Sequence, residues 1–216
     1  MRDVKAPAGV ARGIAQAFAP AILLRSNLWS NWSYIAVDHA RTARAEREAL
    51  VESWRREPKD TSRMVAETNA SMVAIGAVAF AIEAFHADVA PLVGRSADTR
   101  VAKGRQRDYL LDTFRRNLDP ANRWQKDLAF VFDLRDDAVH FIGINNPPEP
   151  HPAIPTNVAR EHLRFSVESA ERSVEFLVRV WRDLFAGPKR NAFWDWAKDR
   201  QHVLQTFLEH AGDNEA

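Results

Sequence analysis

Hydrophobic positions recur along most of this chain at steps of three and four residues, the period of a helix buried on one side. The first run covers about Leu28 to Arg56, with Trp29, Ala36, Ala40, Ala43, Leu50 and Trp54 near one face, and it must end before Pro58. Asp60 or Thr61 can cap the next helix, which continues to about Val93 and is apolar on every side between Met72 and Phe85. Such a helix belongs at the centre of a bundle. Gly94 to Gly104 reads as a loop, and Gln106 to Leu118 as a short amphipathic helix carrying Tyr109, Leu110 and Phe114. Asp119 as N-cap and Pro120 at the first helical position then open a helix through the segment Asp127 to Gly143. Pro147, Pro148, Pro150, Pro152 and Pro155 make a stiff connection after it. Thr156 or Asn157 caps a long packing helix with the stripe Leu163, Val167, Ala170, Val174, Leu177, Trp181 and Leu184, stopped by Gly187 and Pro188. A last helix from about Asn191 to His210 contributes Phe193, Trp196, Leu204, Phe207 and Leu208.

The pattern predicts an all-α protein, an up-and-down bundle of five to seven helices with no sheet. Eight glycines and the absence of Asn-Gly or Asp-Gly turns agree with it. A chain of 216 residues, 46% hydrophobic, can bury one substantial core, and no linker divides it, so residues 1–216 are expected to form a single domain. Residues 1–27, Ala-rich and broken by Pro7 and Pro20, are either a loose arm or a short packed helix.

The segment DLAFVFDLRDDAVHFIG, Asp127 to Gly143, contains the candidate chemistry. Leu128, Val131, Ala138 and Ile142 form its apolar stripe, and the position in the middle of that stripe is Arg135. A guanidinium in a core seam needs either a carboxylate or an opening to solvent or ligand. Glu83, the one acid in the apolar stretch of the second helix, is the natural partner. That pair is either a structural ion pair or an orienting device for a functional arginine. His140 falls about 140° round from Arg135 on a 3.6-residue helix, on the side of Asp133, Asp136 and Asp137. Those carboxylates favour its protonated form. His86 reads as packed, and His151 in the proline-rich connection as a loop residue or a second titrating group.

An arginine followed by a polar residue and, five positions on, by a histidine, late on an apolar helix and before a turn, resembles the signature of the HEPN superfamily (higher eukaryotes and prokaryotes nucleotide-binding). Arg135, Asp136 and His140 match it. The resemblance covers roughly residues 66–184, while the flanks, including the C-terminal helix at about 190–211, lie outside it. It implies a helical bundle that pairs as a homodimer, with Arg135 and His140 of both copies in one cleft. In active members of the family that cleft is a metal-independent ribonuclease. Catalytic roles then fall to Arg135 on the phosphate, His140 in proton transfer and Asp136 in tuning His140, with Glu83 supporting. Ile142 stands where members paired with a nucleotidyltransferase antitoxin commonly carry tyrosine, so modification at that position is not available here.

Composition adds little to this and excludes some alternatives. The absence of cysteine rules out disulfides and thiolate metal sites, and no HExxH pair or other metal motif is present, so neither metal nor cofactor is expected. The formal net charge of +1 gives no global field toward nucleic acid. Between Arg95 and Lys126, however, nine basic residues face four acidic ones, and Arg115, Arg116 and Arg123 are candidate RNA contacts on what is otherwise a solvated face. The apolar N-terminal run GIAQAFAPAILL lacks a clean cleavage site, and the longest uninterrupted apolar run, Met72 to Ile82, is shorter than the ~18 residues of a membrane span. The expectation is therefore a cytoplasmic protein away from membranes. Two functions compete: an RNA endonuclease of the HEPN kind, as a toxin or phage-defence effector with RNA, a second copy and an antitoxin or other protein as partners, and a catalytically silent helical module that binds a nucleotide or a partner protein. A scaffold without ligand is the third.

Overall fold

The computed structural model describes residues 28–57, 61–99, 106–116, 118–139, 147–186 and 192–212. They form an all-α bundle: α1 (Leu28–Trp54), α2 (Ser62–Val89), α3 (Gln106–Arg115), α4 (Gln125–Val139), α5 (Arg160–Arg164), α6 (Val167–Ala186), α7 (Ala192–Asp199) and α8 (Gln201–Gly212). Seven of these are helices of eight residues or more, and α5 is a five-residue turn.

Small side chains set the central packing. Ala40 of α1, Ala74 of α2 and Ala170 of α6 meet in one cluster, and Ala43, Ala70 and Val167 in the next, so three helix backbones approach closely where a larger residue would hold them apart. The order of these pairs makes α1 and α2 antiparallel. Towards the other end of the pair the core becomes aromatic. Phe85 lies within 5.0 to 6.2 Å, centroid to centroid, of Phe114, Trp181, Phe193 and Trp196. Trp124 and Trp29 are fully buried in the same cluster, and the Trp124 indole donates to Asp183 at 2.7 Å.

The expected central helix is α2, which touches α1, α3, α4 and α6. Its extension through the 3₁₀ turn Ala90–Val93 ends at Gly94, whose φ of 67° needs the freedom of glycine. Ser62–Val93 has the length and hydropathy of a membrane span, and 61% of its most apolar 18-residue window is buried inside the bundle. One side remains open: Val65, Val73 and Phe80 are exposed, with Gly76 between them on the same ridge and no atom within 4 Å of the position its Cβ would occupy.

Three elements differ from the sequence reading. Asp119–Arg123 is a separate 3₁₀ turn, and α4 starts only at Gln125, because the buried Trp124 fixes the chain between them. The long helix expected from Thr156 is divided. Asn157 and Val158 pair antiparallel with Pro150 and Glu149 in a two-residue ribbon, the one departure from the expected absence of a sheet. After α5, the helix restarts at Val167, whose N–H donates to the Glu67 carboxylate at 3.2 Å, so a side chain from α2 caps α6. Leu163 thus packs with Leu50 and Met64 rather than on the α6 stripe. The C-terminal helix breaks at Arg200 into α7 and α8.

Candidate active site

Leu128, Val131, Phe132 and Leu134 bury α4 against its neighbours, which leaves Arg135 at the edge of the seam, its side chain 14% exposed. Its Nη1 donates to Glu83 Oε1 at 2.6 Å, its Nε to Asp136 Oδ1 at 2.8 Å, and its Nη2 reaches Gln106 Oε1 at 3.4 Å. The guanidinium also lies 4.8 Å from the centroid of the Phe132 ring. The partner expected for Arg135, Glu83, is therefore the one found. Gln106, which the sequence did not single out, ties the pair to α3: its Nε2 donates to Glu83 Oε1 at 2.8 Å and to Thr99 Oγ1 at 3.1 Å. Next to it Arg107 donates to Asp133 at 2.9 Å. Chemically, the arrangement is a guanidinium oriented from below by a carboxylate and an amide, with a minor part of its surface open to solvent.

The other expected site residues are distributed unevenly. His140 and Ile142 lie outside the described residues, which end at Val139 in this helix. Asp136 is exposed and accepts from Arg135 through Oδ1. Arg115, Arg116 and Arg123 are exposed at the opposite end of α4 from Arg135: Arg115 reaches Gln125 at 3.0 Å, about 15 Å along the axis at 1.5 Å per residue. Part of the expected positive patch is neutralised in place, since Arg95 and Arg116 both pair with Asp112, and Arg107 with Asp108 and Asp133. His86 is fully buried, 3.2 Å from Thr113 Oγ1, and burial together with the charge of Arg95 pushes it down to about 4, so it is neutral at ordinary pH. Among the described residues no three His, Asp or Glu side chains converge on a metal position.

No protein-family model, curated protein or solved structure matches the chain.

A second polar centre went unnoticed in the sequence. Arg47 of α1, 9% exposed, forks onto Glu67 of α2, 2% exposed, through two bonds of 2.7 Å, and its Nη1 donates to Glu168 of α6 at 2.9 Å. Burial opposes both charges. For Arg47 the two carboxylates outweigh it and raise the guanidinium, and for Glu168 the hydrogen bonds from Ser166, its own backbone and Arg47 lower the carboxyl despite it. The signal was available: Ala36, Ala40, Ala43, Arg47, Leu50 and Trp54 follow steps of four and three, so Arg47 interrupts a core stripe as Arg135 does.

The geometry around Arg135 sets what its loss would cost. A fully buried Glu83 stranded by Arg135→Ala would cost ~3 kcal/mol or more. Glu83 is 25% exposed and keeps its bond from Gln106, so the expected cost is about 1–2 kcal/mol. Chemical denaturation of Arg135→Ala beside Glu83→Gln checks it, and a loss above about 3 kcal/mol would mean that solvent does not reach the carboxylate.

Proposed function

We propose that the chain is an RNA endonuclease of the HEPN type that cuts without a metal ion, with Arg135 as phosphate ligand and His140 as the proton-transfer group. The observation that carries this reading is the setting of Arg135. A guanidinium held late on an apolar helix by a carboxylate of the central helix, one face still reachable, is suited to meet a phosphate. Cleavage then proceeds by removal of the 2′-hydroxyl proton, attack of that oxygen on phosphorus, and protonation of the departing 5′-oxygen. Arg135 stabilises the charge that builds on the non-bridging oxygens. One histidine per chain cannot be base and acid in the same step, so the reaction calls for two copies about a two-fold axis. The exposed ridge Val65, Gly76, Val73 and Phe80 on α2 supports such pairing, because it is apolar, admits close approach at Gly76 and lies on the helix that carries Glu83.

A specific observation favours the silent-module reading as the alternative: Glu83 and Asp136 already neutralise Arg135, so a phosphate must displace or share one of them.

Incubation of the purified protein with single-stranded RNA in excess EDTA is expected to give fragments ending in 2′,3′-cyclic phosphate. The rate should depend on imidazole ionisation near neutral pH. His140→Ala should bind the same RNA and leave it whole, because phosphate attraction survives while proton transfer does not. Equal degradation by wild type and His140→Ala identifies a contaminant. Nucleotide or protein binding without any cleavage transfers the conclusion to the silent module.

A further inference from the structure

The segment 147–159, which leads into α5, holds five prolines, none of which has an N–H to donate. Its own backbone bonds are correspondingly few: His151 N–H to Thr156 O at 2.9 Å, Thr156 N–H to Ile154 O at 2.8 Å, and the pairing of Glu149 and Pro150 with Val158 and Asn157. Attachment to the bundle therefore falls to three buried side chains, Ile154, Val158 and His151. The first two pack on Leu50 of α1 and Met64 of α2. His151 is 6% exposed, and its Nδ1 accepts the N–H of Ala153 at 3.1 Å, which requires that nitrogen to be unprotonated.

We propose that this segment is a proton-released strap: neutral His151 holds it on the bundle, and protonation of the imidazole frees it. With a proton on both ring nitrogens, Nδ1–H would face the Ala153 N–H, donor against donor, at a residue that is 6% exposed. The charged and titratable groups around His151 come from four elements: Arg47 of α1, Glu67 of α2, His162 of α5 and Glu168 of α6. Both carboxylates are engaged by Arg47. Burial first, then Arg47, lower the His151 imidazole, with His162 adding to the effect and Glu67 and Glu168 opposing it. The sign follows. A histidine whose docked pKa lies below its free value stabilises the docked form fully above about pH 6.5, and that contribution is lost as pH falls below it. Release would be felt at the Arg135 helix, because Arg164 of α5 pairs with Asp137 in the last turn of α4. The inference itself does not depend on the endonuclease reading.

Hydrogen exchange of the full chain at pH 7.5 and 5.5, corrected for intrinsic rates, tests it. At pH 5.5, one unit below the free imidazole value, linkage permits up to about ten-fold faster opening. Peptides within 147–159 are expected to show several-fold acceleration while α2 peptides do not. His151→Asn, whose Oδ1 can take the Ala153 N–H and cannot be protonated, should abolish the response, and His162→Asn should keep it. Unchanged strap protection at pH 5.5, or a response that survives in His151→Asn, overturns the proposal. Should His151→Asn leave the strap open at both pH values, an NMR titration of wild type decides: a His151 midpoint coincident with strap opening supports the latch, and one more than about a unit away overturns it.

Discussion

Arg47→Met is expected to lower the melting temperature by about 10 °C, through loss of about 3–5 kcal/mol. The cost does not come from the ion pair as an attraction, since two charges brought out of water gain little net. It comes from what remains. Glu67 is 2% exposed, and once Arg47 is gone the donor that remains to it among the described residues is the N–H of Val167. A second substitution separates this from lost packing: Glu67→Gln removes the charge and still accepts the Val167 N–H, so Arg47→Met with Glu67→Gln should recover about half the loss. The single variant should also suffer less at pH 5 than at pH 7, because a stranded carboxyl has a folded pKa above its unfolded value and penalises folding as pH rises. If the double variant melts below the single one, the stranded Glu67 charge is not the source of the loss.

Phe85→Ala should be comparably severe, at about 3–5 kcal/mol. The ring is fully buried, stacks on Phe114 with 10° between planes and meets Trp181 nearly edge-on at 79°. Its removal leaves a void bounded by rings from α3, α6 and α7, which cannot collapse inward without dismantling one another. Leu92, in the 3₁₀ extension of the same helix, is the control: it is 49% exposed, and its truncation should cost about 1 kcal/mol or less. Urea unfolding of both variants, followed by near-ultraviolet circular dichroism, measures the contrast, and equal losses would contradict the placement of the aromatic core.

The fold class was legible because steps of three and four persist through α1, α4 and α6 and because α2 is too apolar to lie anywhere but inside. Glu83 was found by scarcity, as one acid in an apolar helix facing one arginine in an apolar stripe. The same logic applied to Arg47 would have found the larger network, but alanines made that stripe look weak. Gln106 was out of reach, since an amide at the start of a short helix carries no periodic signal, and its role exists only because α3 lies against α4. The division between α5 and α6 was hidden for a similar reason: the group that caps α6 is Glu67, one hundred residues earlier in the chain.

The polar contacts between α3 and α4 work as a measuring device. Gln106 and Arg107 meet Arg135 and Asp133 at one end, and Arg115 meets Gln125 at the other, so the two antiparallel helices are matched over nearly equal lengths. A slide of one turn, 5.4 Å, would lose both ends together. One residue inserted between Arg107 and Arg115 would turn one end by 100° relative to the other, so the setting of Arg135 is specified in part by the length of a helix that contributes none of its charge.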